Sequence, residues 1–129
     1  MSLLKSIHHV AIICSDYEAS KKFYTEILGL EIVAEHYRAE RQSYKLDLKL
    51  DNDYVIELFS FTNPPRRTSR PEAVALRHLA FGVSNIEKSI QHLKEYGVEC
   101  EPIRVDEFTG KRFTFFSDPD GLPLELYEQ

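Results

Sequence analysis

The chain repeats itself. Residues 7–20, IHHVAIICSDYEAS, align with residues 76–89, LRHLAFGVSNIEKS, so that His9 falls on His78, Ala11 on Ala80, Ser15 on Ser84, Glu18 on Glu87 and Ser20 on Ser89. With a one-residue slip Gly29 falls on Gly97 and Glu31 on Glu99. Further on, YVIELFSF (54–61) falls on LPLELYEQ (122–129), with Glu57 on Glu125 and Leu58 on Leu126. A duplicated unit of roughly sixty residues limits the fold severely, because what one half forms the other must form too. Two copies are too few for a solenoid, and a pseudo-twofold pair of modules is expected.

Each unit reads the same way. An apolar strand leads into Ser15-Asp16-Tyr17-Glu18 or Ser84-Asn85-Ile86-Glu87, the pattern of a capping box with the serine as N-cap. A helix follows, with Phe23, Tyr24, Ile27 and Leu28 at helical spacing in one copy and Ile86, Ile90 and Leu93 in the other. Gly29 and Gly97 then stop it, as left-handed C-terminal residues do. SYKLDLKL (43–50) alternates as a strand, with Tyr44, Leu46, Leu48 and Leu50 on one face and Lys45, Asp47 and Lys49 on the other. DND (51–53) and DPDG (118–121) are hairpin turns. The expectation is an α+β fold of two βαβββ modules, 1–61 and 76–129, within a single domain spanning 1–129. The Pro- and Arg-rich stretch 62–75 is an irregular linker.

A chain of 129 residues with 43% hydrophobic residues has enough apolar side chain for a core and too much for disorder. A net charge of -5 argues against nucleic acid as a partner. No apolar run suits a membrane span or a signal peptide. Cys14 and Cys100 form no metal or redox motif and read as two buried free thiols, which points to the cytoplasm. Cys14 matches Val83 in the repeat and is packing rather than a nucleophile. His36 and His92 read as surface residues.

The functional signal is what the repeat preserves. Position 9 is histidine in both copies, whereas His8 is matched by Arg77, and strand alternation turns His8 to the opposite face. Glu57 and Glu125 are each a lone carboxylate inside an apolar strand. A buried carboxylate without a partner costs several kcal/mol, roughly. Two histidines and two glutamates, one of each per module, offset that cost around one divalent cation such as Zn, Ni, Co, Mn or Fe. An octahedral ion would keep two positions for neighbouring substrate oxygens. Against this stand the ordinary readings, a satisfied core histidine and a glutamate at an edge or paired to Arg or Lys.

HHVAIICSDYEASKKFYTEILGLEI and FFSDPDGLPLELYEQ resemble the opening and closing signatures of the vicinal oxygen chelate superfamily, whose modules are βαβββ. The likeness covers essentially the whole chain and is greatest to glyoxalase I-like (lactoylglutathione lyase-related) proteins, because His9, Glu57, His78 and Glu125 occupy all four ligand positions. Fosfomycin-modifying relatives lack the first-module glutamate, methylmalonyl-CoA epimerases tend to carry glutamine there, extradiol dioxygenases draw three ligands from one half, and bleomycin-binding relatives have lost the metal residues.

The resemblance implies a metal-dependent lyase or isomerase acting on a small 2-oxoaldehyde–thiol adduct through an enediolate. The cofactor it implies is Ni, Zn or Co, with glutathione or another thiol as cosubstrate. It implies a homodimer, with the site formed within one chain or across two. On that mechanism Glu125 is expected to be the general base, with Glu57 the second candidate, while His9 and His78 would only hold the ion. Alternatives are another metal enzyme of the superfamily, an epimerase or a thiol transferase, and a non-catalytic small-molecule-binding protein. Candidate substrate contacts are Arg38, Arg112, Phe59 and Phe116, with Phe61 and Lys111 behind them; for the three phenylalanines core packing is the ordinary reading. Arg66, Arg67 and Arg70 are either a substrate-carboxylate clamp or, as exposed arginines usually are, solvated linker.

Overall fold

The computed structural model describes residues 2–129. It divides into two compact units, Met1–Pro65 and Arg66–Gln129. The first contains β1 (Val10–Cys14), α1 (Tyr17–Lys22), β2 (Glu31–Arg38), β3 (Ser43–Leu50) and β4 (Asp53–Ser60). The second contains β5 (Leu79–Val83), α2 (Ile86–Glu95), β6 (Arg104–Val105), β7 (Arg112–Ser117) and β8 (Pro123–Glu128). Both units are βαβββ and the class is α+β, as the repeat predicts. Their sheets run β1-β4-β3-β2 and β5-β8-β7-β6. In each, the first and last strands pair in parallel while the hairpin strands pair antiparallel.

The core of each unit lies on one face of its sheet. In the first, Leu46 and Leu48 stand across from Leu58 and Ile56, and all four are buried with Phe23 and Tyr24. In the second, Thr114 and Phe116 stand across from Leu126 and Leu124, buried with Ile86 and Leu93 of α2. Each large apolar side chain so covered contributes about 1.5–3 kcal/mol.

Several local expectations shift by a residue or so. The N-caps are Asp16 and Asn85, not Ser15 and Ser84: their side-chain oxygens accept from the backbone N–H of Ala19 at 3.1 Å and of Lys88 at 3.0 Å. A carboxylate or amide oxygen caps as well as a hydroxyl, and Glu18 and Glu87 then fall in the first turn, where the helix dipole favours them. The first helix does not stay α-helical. From Phe23 to Ile27 it widens to a π-helix, with the Leu28 N–H donating to the Phe23 carbonyl at 2.9 Å. Adjacent residues lie closer together on this wider helix, and Phe23 and Tyr24 are both buried. Gly29 and Gly97 do end the helices in left-handed conformations, with φ of 81° and 78°.

Leu50 departs from its expected buried face and is exposed beside the hairpin turn. Of the thiols Cys14 is buried, but Cys100 is only half-buried, and burial pushes its pKa up. His36 and His92 are exposed. No helix among the described residues is long and apolar enough to cross a membrane. In the loop after residue 65, Arg67 donates to the carbonyls of Leu76 at 2.7 Å and Arg77 at 2.9 Å, and Arg77 pairs with Glu72.

Candidate functional site

The parallel strand pairs set up the two matched sites. In β1, Ala11 pairs with Glu57, and His9 lies two residues earlier. In β5, Ala80 pairs with Glu125, and His78 lies two residues earlier. Alanine's short side chain leaves the face in front of each glutamate clear for the imidazole. His9 Nε2 stands 3.3 Å from Glu57 Oε2, and His78 Nε2 stands 3.1 Å from Glu125 Oε1. Each predicted histidine thus meets the predicted glutamate of its own unit. Among the described residues no three His, Cys, Asp or Glu side chains are drawn together as an ion-holding group.

The histidines are less covered than a buried-ligand argument supposes. Their side chains are 35% and 26% exposed, against 14% for Glu57 and 11% for Glu125. The desolvation cost therefore falls chiefly on the two carboxylates. His8 also departs from expectation. Strand β1 begins only at Val10, so alternation does not govern residues 8 and 9. His8 Nδ1 lies 2.8 Å from His9 Nδ1, and its ring packs 5.3 Å from that of Tyr54.

The surroundings of the two pairs differ. Antiparallel partners share a sheet face, so Lys45, opposite Phe59, Asp47, opposite Glu57, and Lys49, opposite Tyr54, form one side of the β3–β4 hairpin. The ladder shifts between Leu48 and Lys49, leaving Val55 as an extra residue. That bulge brings Tyr54 to the face of Glu57. The Tyr54 hydroxyl donates to Glu57 Oε2 at 2.5 Å. Lys45 Nζ lies 2.6 Å from Asp47 Oδ1 and 3.6 Å from Glu57 Oε2. Burial, then the bonds to Glu57 and Asp47, push the Tyr54 hydroxyl far above its usual pKa, so it stays a donor. Burial opposes but does not outweigh the Lys45 ammonium, which holds the Asp47 carboxyl low.

In the second unit Phe115 stands opposite Glu125 and Phe113 opposite Tyr127. The Phe115 ring meets His78 edge-on at 5.0 Å. The Arg104 guanidinium lies over Phe113 at 5.2 Å and Phe115 at 5.5 Å. His78 Nδ1 is buried and has no hydrogen-bond partner among the described residues.

Two of the four candidate substrate residues lie on these faces. Phe59 shares the face of Glu57, and the Arg38 guanidinium lies 5.0 Å above its ring while donating to Ser43 Oγ at 3.0 Å. Phe61 stacks on Phe59 at 6.1 Å. Arg112 and Phe116 do not belong to a substrate site. Strand alternation puts both on the helix side of the second sheet, opposite to Glu125. There Phe116 is core, and Arg112 is engaged by Glu87 of α2 and by Glu128 at 2.8 Å. Lys111 is exposed. Tyr54, Lys45, Asp47, Phe115 and Arg104 were not singled out from sequence. For Asp47 and Lys45 the available signal was a polar strand face facing the hairpin partner that carries Glu57.

Imidazole and carboxylate are a suitable donor set for a first-row divalent metal. Two donors at about 2.1 Å from one ion and at right angles stand about 3.0 Å apart. The Nε2–carboxylate separations of 3.1 and 3.3 Å fit that arrangement.

Two sheets built on a repeated βαβββ unit, each with a histidine set before its first strand against a glutamate in its last, define a class of protein. The chain belongs to the Glyoxalase/Bleomycin resistance protein/Dioxygenase superfamily, whose profile matches residues 6–126. This is the vicinal oxygen chelate superfamily. The chain is 67% identical to the uncharacterized protein YwkD of Bacillus subtilis over 98% of this chain and 99% of that one. It is 55% identical to a glyoxalase family protein of Enterococcus faecalis, whose crystal structure superposes with a TM-score of 0.90 over 98% of this chain and 100% of that one. Glyoxalase I of Leishmania major is 25% identical, with a TM-score of 0.74 over 97% of this chain and 87% of that one.

More distant relatives bear enzyme names. A probable lactoylglutathione lyase of Vibrio parahaemolyticus is 27% identical over 95% of this chain and 89% of that protein. A 2-epi-5-epi-valiolone epimerase of Actinomyces is 27% identical over 94% and 78%. The metallothiol transferase FosB of Staphylococcus saprophyticus is 29% identical over 97% and 78%.

Proposed function

We propose that the protein is a metal-dependent lyase or isomerase of the glyoxalase I type, acting on the adduct of a small 2-oxoaldehyde with a thiol, glutathione or another. The observation that carries this reading is the duplicated His–Glu pair, His9 with Glu57 and His78 with Glu125, each with its donor atoms at ligand-like separation. These four residues would hold the ion, Ni, Zn or Co, in a cytoplasmic homodimer. The ion would supply Lewis acidity toward two neighbouring substrate oxygens.

The chain's own groups do the rest. His9 and His78 orient the site. Glu125 takes a proton from one carbon and returns it to the next, a step that needs a carboxylate within reach of both. Glu57 is the second candidate for that role. Phe59 and Phe115 offer apolar surface on the two site faces. The second reading is an epimerase or thiol transferase on the same scaffold, because relatives bearing those names are as similar to this chain as the named lyase.

The experiment is turnover of methylglyoxal with a panel of low-molecular-weight thiols, using protein loaded in turn with Ni, Co, Zn and Mn. Formation of a 2-hydroxyacyl thioester with one thiol, lost in Glu125→Gln, is the expected result. Silence with every thiol in protein carrying stoichiometric metal would leave the epimerase or transferase. Failure to take up metal would leave a binding protein.

A further inference from the structure

The two carboxylates of the proposed site are held differently. Oxygen Oε2 of Glu57 receives the Tyr54 hydroxyl at 2.5 Å and faces His9 Nε2 at 3.3 Å and Lys45 Nζ at 3.6 Å. Tyr54 is itself fixed: the bulge aims it, and the rings of His8 and His9 pack against it at 5.3 and 5.6 Å. The Lys45 ammonium is anchored on Asp47 at 2.6 Å. The repeat shows how specific this is. Tyr54 is matched by Leu122, Lys45 by Phe113 and Asp47 by Phe115, none of which offers a side-chain donor. Glu125 has His78 as its close partner, with Arg77 acting at longer range.

We propose that Tyr54 is a positioning residue whose hydroxyl fixes the Glu57 carboxylate in one orientation, so that Glu57 serves as a permanent ligand while Glu125, which no hydroxyl among the described residues holds, is the carboxylate free to move a proton. This inference rests on the metal site proposed above. A hydrogen bond to a charged group is short and directional, and removing the partner that orients a ligand typically costs about 10–100-fold in metal affinity. Tyr54→Phe keeps the ring and its packing on His8 and His9 and deletes only the hydroxyl.

The test is release of Co²⁺ from the full-length protein to a competing chelator, read with the visible absorption of the bound ion. Tyr54→Phe should bind Co²⁺ about 10–100-fold more weakly and shift the absorption bands. Lys45→Met should weaken binding less, its contact being longer. In a Glu57→Gln background Tyr54→Phe should have no further effect, since the hydroxyl acts through that carboxylate; a merely structural role would give additive losses. A Tyr54→Phe protein with wild-type affinity and spectrum overturns this inference and leaves the metal site standing. A wild-type protein that takes up no Co²⁺ overturns both.

Discussion

Across from Glu57 the first unit places Asp47, with Lys45 and Tyr54 beside it; across from Glu125 the second unit places Phe115, with Phe113 and Arg104 beside it. The histidine, the glutamate and the alanine between strands are the same in both, at 3.3 and 3.1 Å. The contrast shows that the duplicated backbone sets where a His–Glu pair sits, while the cross-strand neighbours of its carboxylate differ; on the proposal above, those neighbours decide how firmly the carboxylate is held. One half carries a polar frame and the other an aromatic one.

The largest effect expected is on chemistry. Glu125→Gln should lower turnover by about 10²–10⁴-fold, the usual worth of a general base, and Glu57→Gln should lower it comparably through loss of the ion it holds. The comparison sharpens if the two variants differ in kind. Glu57→Gln should lose metal and turnover together, whereas Glu125→Gln should retain more of its metal for the same loss of turnover. Metal analysis beside the kinetic assay reads both, and equal metal loss in the two variants would break the distinction.

The next effect is on stability and compares faces. Phe116→Ala opens the core of the second unit, where the ring is buried against Leu124, and should cost about 3–5 kcal/mol. Phe59→Ala, on the half-buried site face of the first unit, should cost less than half of that while changing KM. Denaturant midpoints and kinetics on both proteins check the assignment, and a larger loss of stability for Phe59→Ala would reverse it.

The smallest effect is acid sensitivity. Arg112 holds the carboxyls of Glu87 and Glu128 below their usual range; in the first unit Lys21, then Tyr17, does the same for Glu35. A carboxyl whose pKa is lowered by folding adds stability above its unfolded value, near 4.5, and that stability is lost as pH falls through the lowered folded value. Wild-type stability should therefore fall below about pH 4.5. Arg112→Met should blunt that fall more than Lys21→Met, since two carboxylates lean on Arg112 and one on Lys21. Unfolding midpoints at neutral and acid pH measure the difference.

Much of this was legible in the sequence because the repeat compares the chain with itself. It exposed the βαβββ unit, the glycine helix stops and the four ligand candidates without any structure. What it missed has physical causes. The turn at Asp51 pairs Lys49 with Tyr54, and continuing that register would set Asp47 against Ile56; the bulge at Val55 sets it against Glu57 instead. One unpaired residue thus decides which side chains frame the site, and no turn chemistry announces it. In β7 the polar Arg112 and Thr114 alternate with Phe113 and Phe115, so the pattern points the two phenylalanines inward, whereas it is the Thr114–Phe116 face that packs in the core and Phe115 that stands opposite Glu125. The partners that remove Arg112 from consideration come from α2 and β8, distant in the chain. His8 was placed by strand alternation, which does not yet operate before Val10.

The central claim is that the two His–Glu pairs serve one divalent ion, and X-ray absorption of the Ni- or Co-loaded protein tests it most directly. The account predicts one ion per chain with two imidazole nitrogens and carboxylate oxygens at about 2.0–2.2 Å, and one imidazole fewer in either His9→Ala or His78→Ala. A single-imidazole shell, sulfur ligation from Cys14 or Cys100, or a spectrum unchanged by both substitutions would contradict it.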